Sequence, residues 1–324
     1  MQENEFHMIF IFDKGTFLSI PRHRFFLFRR GVGPMKAVEL VNLGYTDISS
    51  VRRALARQEL HVLNENAKVG VQFYEDFLEK MERREVQMIG DIVITAGKKY
   101  FQDANIDIMG SFRRGNERCG DVDILITHPK FIESVPKGAV QELVERLRDE
   151  GHISHHLTSV DPVYKAKIPL RAQDINDVLL ETSKKAESYM GVFVSPLYPS
   201  KHRRIDIKFY PYRERAFASL YFTGNGWFTR AIRLFAKANK GLKLDDSGLF
   251  TLSSVEEKKM SYIGKRIEAK SEKEIFDLLG LVYKHPHERD SSDAVVPKDG
   301  SKSDFQFVVK YSDVQCDTRH SWIE

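Results

Sequence analysis

The chain has 324 residues, 42% of them hydrophobic, and a formal net charge of +4. That length is enough for two or three domains with buried cores, while so small a charge excess excludes arguing for a nucleic-acid partner from the total alone. Two cysteines, Cys119 and Cys316, exclude a disulfide framework, no Cys/His run has metal-ligand spacing, and no apolar run approaches the ~20 residues that span a bilayer.

A reducing compartment and no membrane contact are therefore expected. At the start, Met8-Ile9-Phe10-Ile11-Phe12 is apolar but broken by Asp13 and Lys14, and it lacks a basic leader. Residues 1–24 read as neither signal nor anchor. Residues 22–36 then carry five Lys or Arg and no acid, and residues 201–240 carry ten against two acids, Asp206 and Glu214. Two such patches suit a protein that grips a polyanion, although two solvated basic faces would look the same.

Within the first patch, Phe25–Phe28 runs into Arg29-Arg30-Gly31-Val32-Gly33-Pro34 and then Met35-Lys36-Ala37-Val38-Glu39-Leu40. The glycines permit a tight turn, and Pro34 fits the first turn of a helix, where its missing N–H has no intrahelical partner to lose. Helix, Gly-x-Gly hairpin and helix would present backbone amides to a phosphate; an ordinary interhelical turn is the alternative. Residues 64–81 and 84–101 follow with helical periodicity, Val69, Phe73 and Phe77 on one face of the first and Val93, Gly97 and Phe101 on one face of the second. Both read as packing helices.

The most informative segment is Gly110-Ser111-Phe112-Arg113-Arg114-Gly115, followed by Asp121-Val122-Asp123-Ile124-Leu125-Ile126-Thr127. On a strand, Asp121 and Asp123 project from one face while Val122, Ile124 and Ile126 cover the other. With no basic residue near them on that face, the two carboxylates make half of a site for a hard cation such as Mg²⁺. The Gly-Ser turn and its two arginines offer N–H groups, a hydroxyl and charge to a polyphosphate. Together they are the signature of a nucleotidyltransferase.

Further on, residues 165–198 read as a loop-rich insertion. Arg203-Arg204-Ile205-Asp206-Ile207-Lys208-Phe209 then alternates over a strand length, with Ile205, Ile207 and Phe209 towards a core and Arg204, Asp206 and Lys208 on an exposed face. If this strand lies beside the first, Asp206 joins Asp121 and Asp123 around two cations, an arrangement suited to in-line phosphoryl displacement. Tyr221-Phe222-Thr223-Gly224 ends an apolar helix, Gly224-Asn225-Gly226 breaks it, and residues 228–239 resume one with Arg230, Arg233 and Lys237 on a common face. By default Phe222 and Phe235 belong to a core. The last stretch, residues 291–324, reads as a polar tail, in which Phe305-Gln306-Phe307-Val308-Val309 could make one strand.

Gly110-Ser111-Phe112-Arg113-Arg114-Gly115, Cys119-Gly120-Asp121-Val122-Asp123, Arg203-Arg204-Ile205-Asp206, Tyr221-Phe222-Thr223-Gly224 and the closing His285-Pro286-His287-Glu288-Arg289-Asp290 occur in the order found in X-family DNA polymerases. Over residues 24–290 the chain resembles that family, its beta and lambda branches in particular. Ile126-Thr127-His128-Pro129 inclines the likeness towards lambda. A tRNA nucleotidyltransferase or poly(A) polymerase shares only the Gly-Ser and paired-Asp part, and the Tyr-Phe-Thr-Gly segment separates the two readings.

The resemblance implies an α+β fold: a helical DNA-binding subdomain with a helix-hairpin-helix at 25–81, a nucleotidyltransferase palm with a mixed β-sheet at 82–210, and a C-terminal α+β thumb-like subdomain at 211–290. It implies transfer of a deoxynucleotide from a dNTP to a primer 3′-hydroxyl with two Mg²⁺ (or Mn²⁺) ions, by a nuclear monomer that fills gaps in base excision repair or end joining. Asp121, Asp123 and Asp206 would be catalytic and hold the metals. Gly110, Ser111, Arg114, Gly120 and Lys80 would take the triphosphate, and Tyr221, Phe222, Gly224 and Thr229 the sugar and base. Gly31, Gly33, Lys36, Arg204, Arg230 and Arg233 would contact primer-template or gapped DNA. Thr229 stands where the family often has Asn, Lys80 where it has Arg, and the roughly two dozen leading residues leave no room for the family's lyase domain, so no lyase activity is expected. A non-catalytic DNA-binding relative and a template-independent terminal transferase remain the alternatives.

Overall fold

The computed structural model describes residues 34–45, 47–158, 183–184, 186–255 and 260–300. They divide into two compact units, the first ending at Leu78 and the second beginning at Glu79. No helix among the described residues is long and apolar enough to cross a membrane.

The first unit is helical, with α1 (Pro34–Asn42), α2 (Ile48–Ala56), α3 (Glu65–Gln72) and α4 (Tyr74–Leu78). Asp47 caps α2 by accepting from the Ser50 amide at 2.8 Å, and Asn64 caps α3 by accepting from Ala67 at 2.9 Å. Each cap satisfies an N–H that the helix itself leaves unpaired. Ala37, Leu40, Val51, Ala54, Leu60, Leu63, Ala67 and Val71 form the core. The single helix expected over 64–81 is instead two, because the backbone leaves the helix at Phe73 and the chain is extended again by Met81. Met81 packs into the core of the second unit, so the helical unit stops short of the expected 81. Gly31 and Gly33, and with them the hairpin, lie outside the described residues.

In the second unit, β1 (Met81–Glu82) leads into the long helix α5 (Arg83–Tyr100), then β2 (Asn105–Ile108), the short α6 (Gly110–Arg113), β3 (Arg118–Cys119) and β4 (Val122–Thr127). After β5 (Val135–Pro136), α7 (Ala139–Asp149) and β6 (Ile153–His156) come β7 (Ser183–Lys184), β8 (Glu187–Val194) and β9 (His202–Tyr210). A mixed sheet in the order β2-β4-β9-β8-β6 forms the palm; β4 and β9 run parallel, and the other pairs antiparallel. Helices α5 and α7 cover one face through Ile89, Val93, Leu143 and Leu147, against Ile124, Ile126, Ile205, Ile207 and Phe209. Strand β8 falls inside the stretch expected to be loop-rich. Its Glu187 carboxylate is buried and accepts from the Val140 amide at 3.0 Å, seating negative charge at the start of α7.

Helix α8 (Arg215–Thr223) lies on the other face of the palm sheet, with Ala218 and Phe222 against Met109, Leu125 and Tyr210. Its remaining face, Ala216, Phe217 and Leu220, belongs to a second core with α9 (Gly226–Lys240) and α10 (Glu272–Leu279). An antiparallel sheet of β10 (Leu242–Leu244), β11 (Leu249–Val255) and β12 (Met260–Ile267) completes this subdomain. Ala294 and Val295 are buried in the same core, and Leu281 pairs with Pro297. The expected polar tail is thus packed in part where it is described, with residues 298–300 exposed. Its apolar pair, not its Ser/Asp content, decides its place.

Palm and C-terminal core are fastened by a buried charge network. Arg113 donates to Glu272 at 2.7 Å, Arg289 donates to the same carboxylate at 2.9 Å, and the Ser219 hydroxyl donates to it at 3.0 Å. Burial pushes the Glu272 carboxyl up, but hydrogen bonds from Arg289 and Arg113 outweigh it and hold the group below the usual carboxylate range. A depressed folded value means that this stabilisation is present above the ordinary carboxylate pKa and is lost as pH falls through the folded value. Glu272→Gln, which leaves two guanidiniums without their counter-charge, is expected to cost about 3–5 kcal/mol at neutral pH. Denaturant midpoints measured down an acid series should converge for the wild type and the variant; a constant gap into strong acid would contradict the network.

Candidate active site

The acids are set by strand register. In the parallel β4/β9 pair Val122 lies opposite Ile205 and Asp123 opposite Asp206. Because Ile124, Ile205 and Ile207 fill the core below, both carboxylates point to the face under α8. Asp121 immediately precedes β4. Asp206 is only 4% exposed, so the face expected to be open to solvent is covered. Burial, and then the charges of Asp121 and Asp206, push the Asp123 carboxyl well above the usual carboxylate range.

The expectation that no base neutralises these acids is corrected by their neighbours on β9. Arg204 donates to Asp121 at 2.6 Å, and the Lys208 ammonium stands 3.9 Å from Asp206 and 4.2 Å from the centre of the Phe222 ring. Both bases alternate with Asp206 on its own strand, so a strand that presents the acid presents them too. Arg204, expected at DNA, is committed here to Asp121. Among the described residues no group of three or more His, Cys, Asp or Glu side chains is gathered for metal binding. In donor chemistry the three carboxylates still fit a hard cation, since they supply oxygen alone and Asp123 bears the repulsion of both neighbours.

Around the acids lies the Gly-Ser turn. Gly110 has φ +58, and a Cβ there would stand 1.9 Å from Asp123 Oδ2. Only glycine allows the turn to approach the carboxylate so closely. Arg83 holds the turn from below, donating to the Phe112 and Asn116 carbonyls at 2.8 and 3.1 Å with its guanidinium over the Phe112 ring. Met81 pairs with Cys119, which sets the exposed Lys80, one residue earlier, across from Gly120. Ser111 and Gly120 are half-buried at the rim of the same turn.

Arg114, expected on the triphosphate, is buried and donates to the Thr223 carbonyl at 2.6 Å. Its Nε has no hydrogen-bond partner among the described residues, and an orphaned buried donor of this kind calls for an explanation. Gly224, at φ +65, lies against the same guanidinium. Phe222 is core, in edge-on contact with Tyr210, as its default reading has it. Tyr221 is half-buried beside Thr229, Arg233 and Asp245 along a narrow crevice, and the Thr229 hydroxyl likewise lacks a partner among the described residues. Arg233 is exposed and Arg230 half-exposed. In the first unit Lys36 donates to the Val62 carbonyl, which accounts for it structurally. Sequence reasoning missed Arg113, Glu272 and Arg289 as the fastening of this site. The doubled arginine was the available signal for the first of them.

Comparison with known proteins finds relatives over both subdomains. The family model for the DNA polymerase beta palm matches residues 80–212, and that for the DNA polymerase beta thumb matches residues 218–290. DNA polymerase lambda of Rattus norvegicus is 31% identical over 273 residues, which are 84% of this chain and 43% of that protein. DNA polymerase lambda of Arabidopsis thaliana is 29% identical over 262 residues, 80% of this chain and 44% of that one. The chain belongs to the X family of DNA polymerases. It spans less than half the length of the curated relatives it matches. In family terms the mixed sheet is the palm and the second core the thumb, and the matched segments meet at α8, between Tyr212 and Ala218.

Two positive-φ glycines allow close approach around the site, Gly110 to Asp123 and Gly224 to Arg114. Gly110→Ala and Gly224→Ala should each cost about 1–3 kcal/mol for the positive-φ backbone alone, and Gly110→Ala should cost more because Asp123 must move. Gly120, with no atom within 4 Å of an added Cβ, should accept alanine with little change. Thermal midpoints of the three variants check the ranking.

Proposed function

We propose that this chain is a DNA-directed DNA polymerase that adds deoxynucleotides from dNTPs to a primer 3′-hydroxyl and releases pyrophosphate. The observation that carries the reading is the pairing of Asp123 with Asp206 across parallel strands, with Asp121 at the strand entrance and a Gly-Ser turn closed against Asp123. Asp121, Asp123 and Asp206 would hold two Mg²⁺ or Mn²⁺ ions. When bound, such ions offset charge on the attacking and leaving oxygens of a phosphoryl displacement.

The chain's own residues then have distinct tasks. Asp206 would be the ligand nearest the attacking hydroxyl and would help take its proton. Gly110, Ser111 and Gly120 offer backbone and hydroxyl donors to the triphosphate, and Lys80 adds a point charge. Arg114 contributes its uncommitted Nε, which supports an anionic ligand at that spot. Tyr221, Phe222 and Gly224 crowd the sugar, where backbone close to the 2′ position disfavours ribonucleotides, and Thr229 faces the base. Lys36, Arg204, Arg230 and Arg233, with Gly31 and Gly33, are assigned to DNA. Of these, Arg204 would have to exchange Asp121 for phosphate. In this reading residues 25–81 grip DNA, 82–210 carry the chemistry and 211–290 cover the nascent pair. The likeness to DNA polymerase lambda supports the polymerase activity; gap filling in base excision repair or end joining, by a monomer in the nucleus, is the further part of this proposal.

Primer extension with and without a template tests the reading and separates it from terminal transfer. Asp123→Ala and Asp206→Ala should each lower incorporation by several orders of magnitude while leaving DNA binding equal or tighter, since removing a carboxylate also removes repulsion of phosphate. Normal extension by either purified variant would falsify the assignment of the acids.

A further inference from the structure

Helix α9 presents two contrasting faces. Phe228, Ala231, Ile232, Phe235 and Ala236 are buried in the thumb core. Outward, at helical spacings of three and four, stand Trp227, Arg230, Arg233 and Lys237, and the helix contains no acid. Trp227 is 56% exposed, more than any other large hydrophobic side chain among the described residues. The five buried positions on α9 show that the core is filled without it, so the indole contributes little to the fold from where it stands. It is not loose, however. The Arg230 guanidinium lies 5.2 Å from the centre of the indole ring, a cation–π contact that holds the two side chains side by side.

Position narrows what such a platform can meet. Gly224 lies against Arg114, Asn225 caps α9 by accepting from Phe228 at 2.9 Å, and Gly226 adds no side chain beside the indole. Tyr221 lines one crevice with Arg233 and lies edge-on to Phe222, whose ring meets the Lys208 ammonium beside Asp206, which puts the base of the platform next to the carboxylate site. A flat aromatic face, flanked by bases on a helix that carries no acid, with Asp245 beyond Arg233 at the crevice, is complementary to an unpaired nucleobase followed by phosphate.

Resting on the polymerase reading, we propose that Trp227 and Arg230 form a stacking platform for an unpaired base of the single-stranded template, next to the pair being formed. Arg233 and Lys237 then track the phosphates that follow. Stacking of this kind tolerates any sequence because every base has a π-face, which suits a surface that must accept each template position in turn.

The test uses the full chain with Trp322→Phe, which leaves Trp227 as the sole tryptophan. Its fluorescence is followed against a primer–template with a 5′ single-stranded template overhang and against a flush duplex of equal length. Quenching by the overhang DNA and none by the flush duplex is expected. Trp227→Ala should weaken binding of the overhang DNA roughly five- to a hundred-fold relative to the flush duplex, with Trp227→Phe recovering most of the loss and thermal midpoints unchanged. Equal loss on both DNAs, or none on either, overturns the platform. Extension of primers by a chain that shows no such discrimination overturns the platform alone; discrimination by a chain that cannot extend primers overturns the polymerase reading and leaves the stacking site standing.

Discussion

The register of two parallel strands, β4 and β9, governs everything else in the palm. Side chains alternate with a period of two, so a slip of one residue would send Asp206 into the core and bring Ile205 or Ile207 up to the acids. Holding two carboxylates opposite each other in a covered site is costly, as the raised Asp123 carboxyl shows. The opposing term lies on the other face. Ile124, Ile126, Ile205, Ile207 and Phe209 are all essentially fully buried, at about 1.5–3 kcal/mol for each large apolar side chain removed from water. Arg203 pins the register further, buried at 2% exposure and donating to Glu85 of α5 at 2.7 Å. Such a pair is expensive to break, about 3–5 kcal/mol, whereas the exposed pairs of Arg213 with Glu133 and Glu268 are worth about 0–1 kcal/mol each. The site is therefore held by packing and one buried ion pair beneath it.

Helix α8 turns that rigid sheet into an enclosed site. One of its faces is palm and the other is thumb, so it cannot shift without disturbing both cores. Its last residue, Thr223, receives Arg114 on its carbonyl and Arg113 on its hydroxyl. Adjacent arginines of one turn thus diverge, one to close the loop over Asp123 and the other to reach Glu272. The same turn has to be glycine at its start, because any Cβ would occupy the space of the Asp123 carboxylate.

Much of this was legible in local pattern. Alternation at 121–127 and 203–209 announced two strands with acids on one face, and Gly224-Asn225-Gly226 announced the break between α8 and α9. Partners distant in sequence were not legible. Arg204 reaches Asp121 across 83 residues and Arg113 reaches Glu272 across 159, and no local period encodes either pairing. Burial on both faces of the palm sheet was hidden for the same reason: the covering of Asp206 is supplied by α8, which follows it in the chain. Strand β8 was obscured by its surroundings, since Glu187, Ser188 and Gly191 dilute the apolar signal although Tyr189, Val192 and Phe193 are buried. The polar composition of 291–300 likewise concealed Ala294 and Val295, two residues that suffice to dock the segment.

Charge shows how far a count can mislead. The ten bases of residues 201–240 invite the picture of one positive patch. In the structure Arg203, Arg204, Lys208 and Arg213 all face acids of the same unit, and Arg203 is buried outright. What remains outward is concentrated on α9, where Arg233, Lys237 and Lys240 are exposed and Arg230 is half-exposed. Charge held in internal pairs contributes little field at a distance, whereas unpaired charge on one helix face is felt within a Debye length of about 8–10 Å. Among the described bases of residues 201–240, the outward charge is thus gathered mainly on one helix, fixed by the core on its other side and rooted at the break after Gly224.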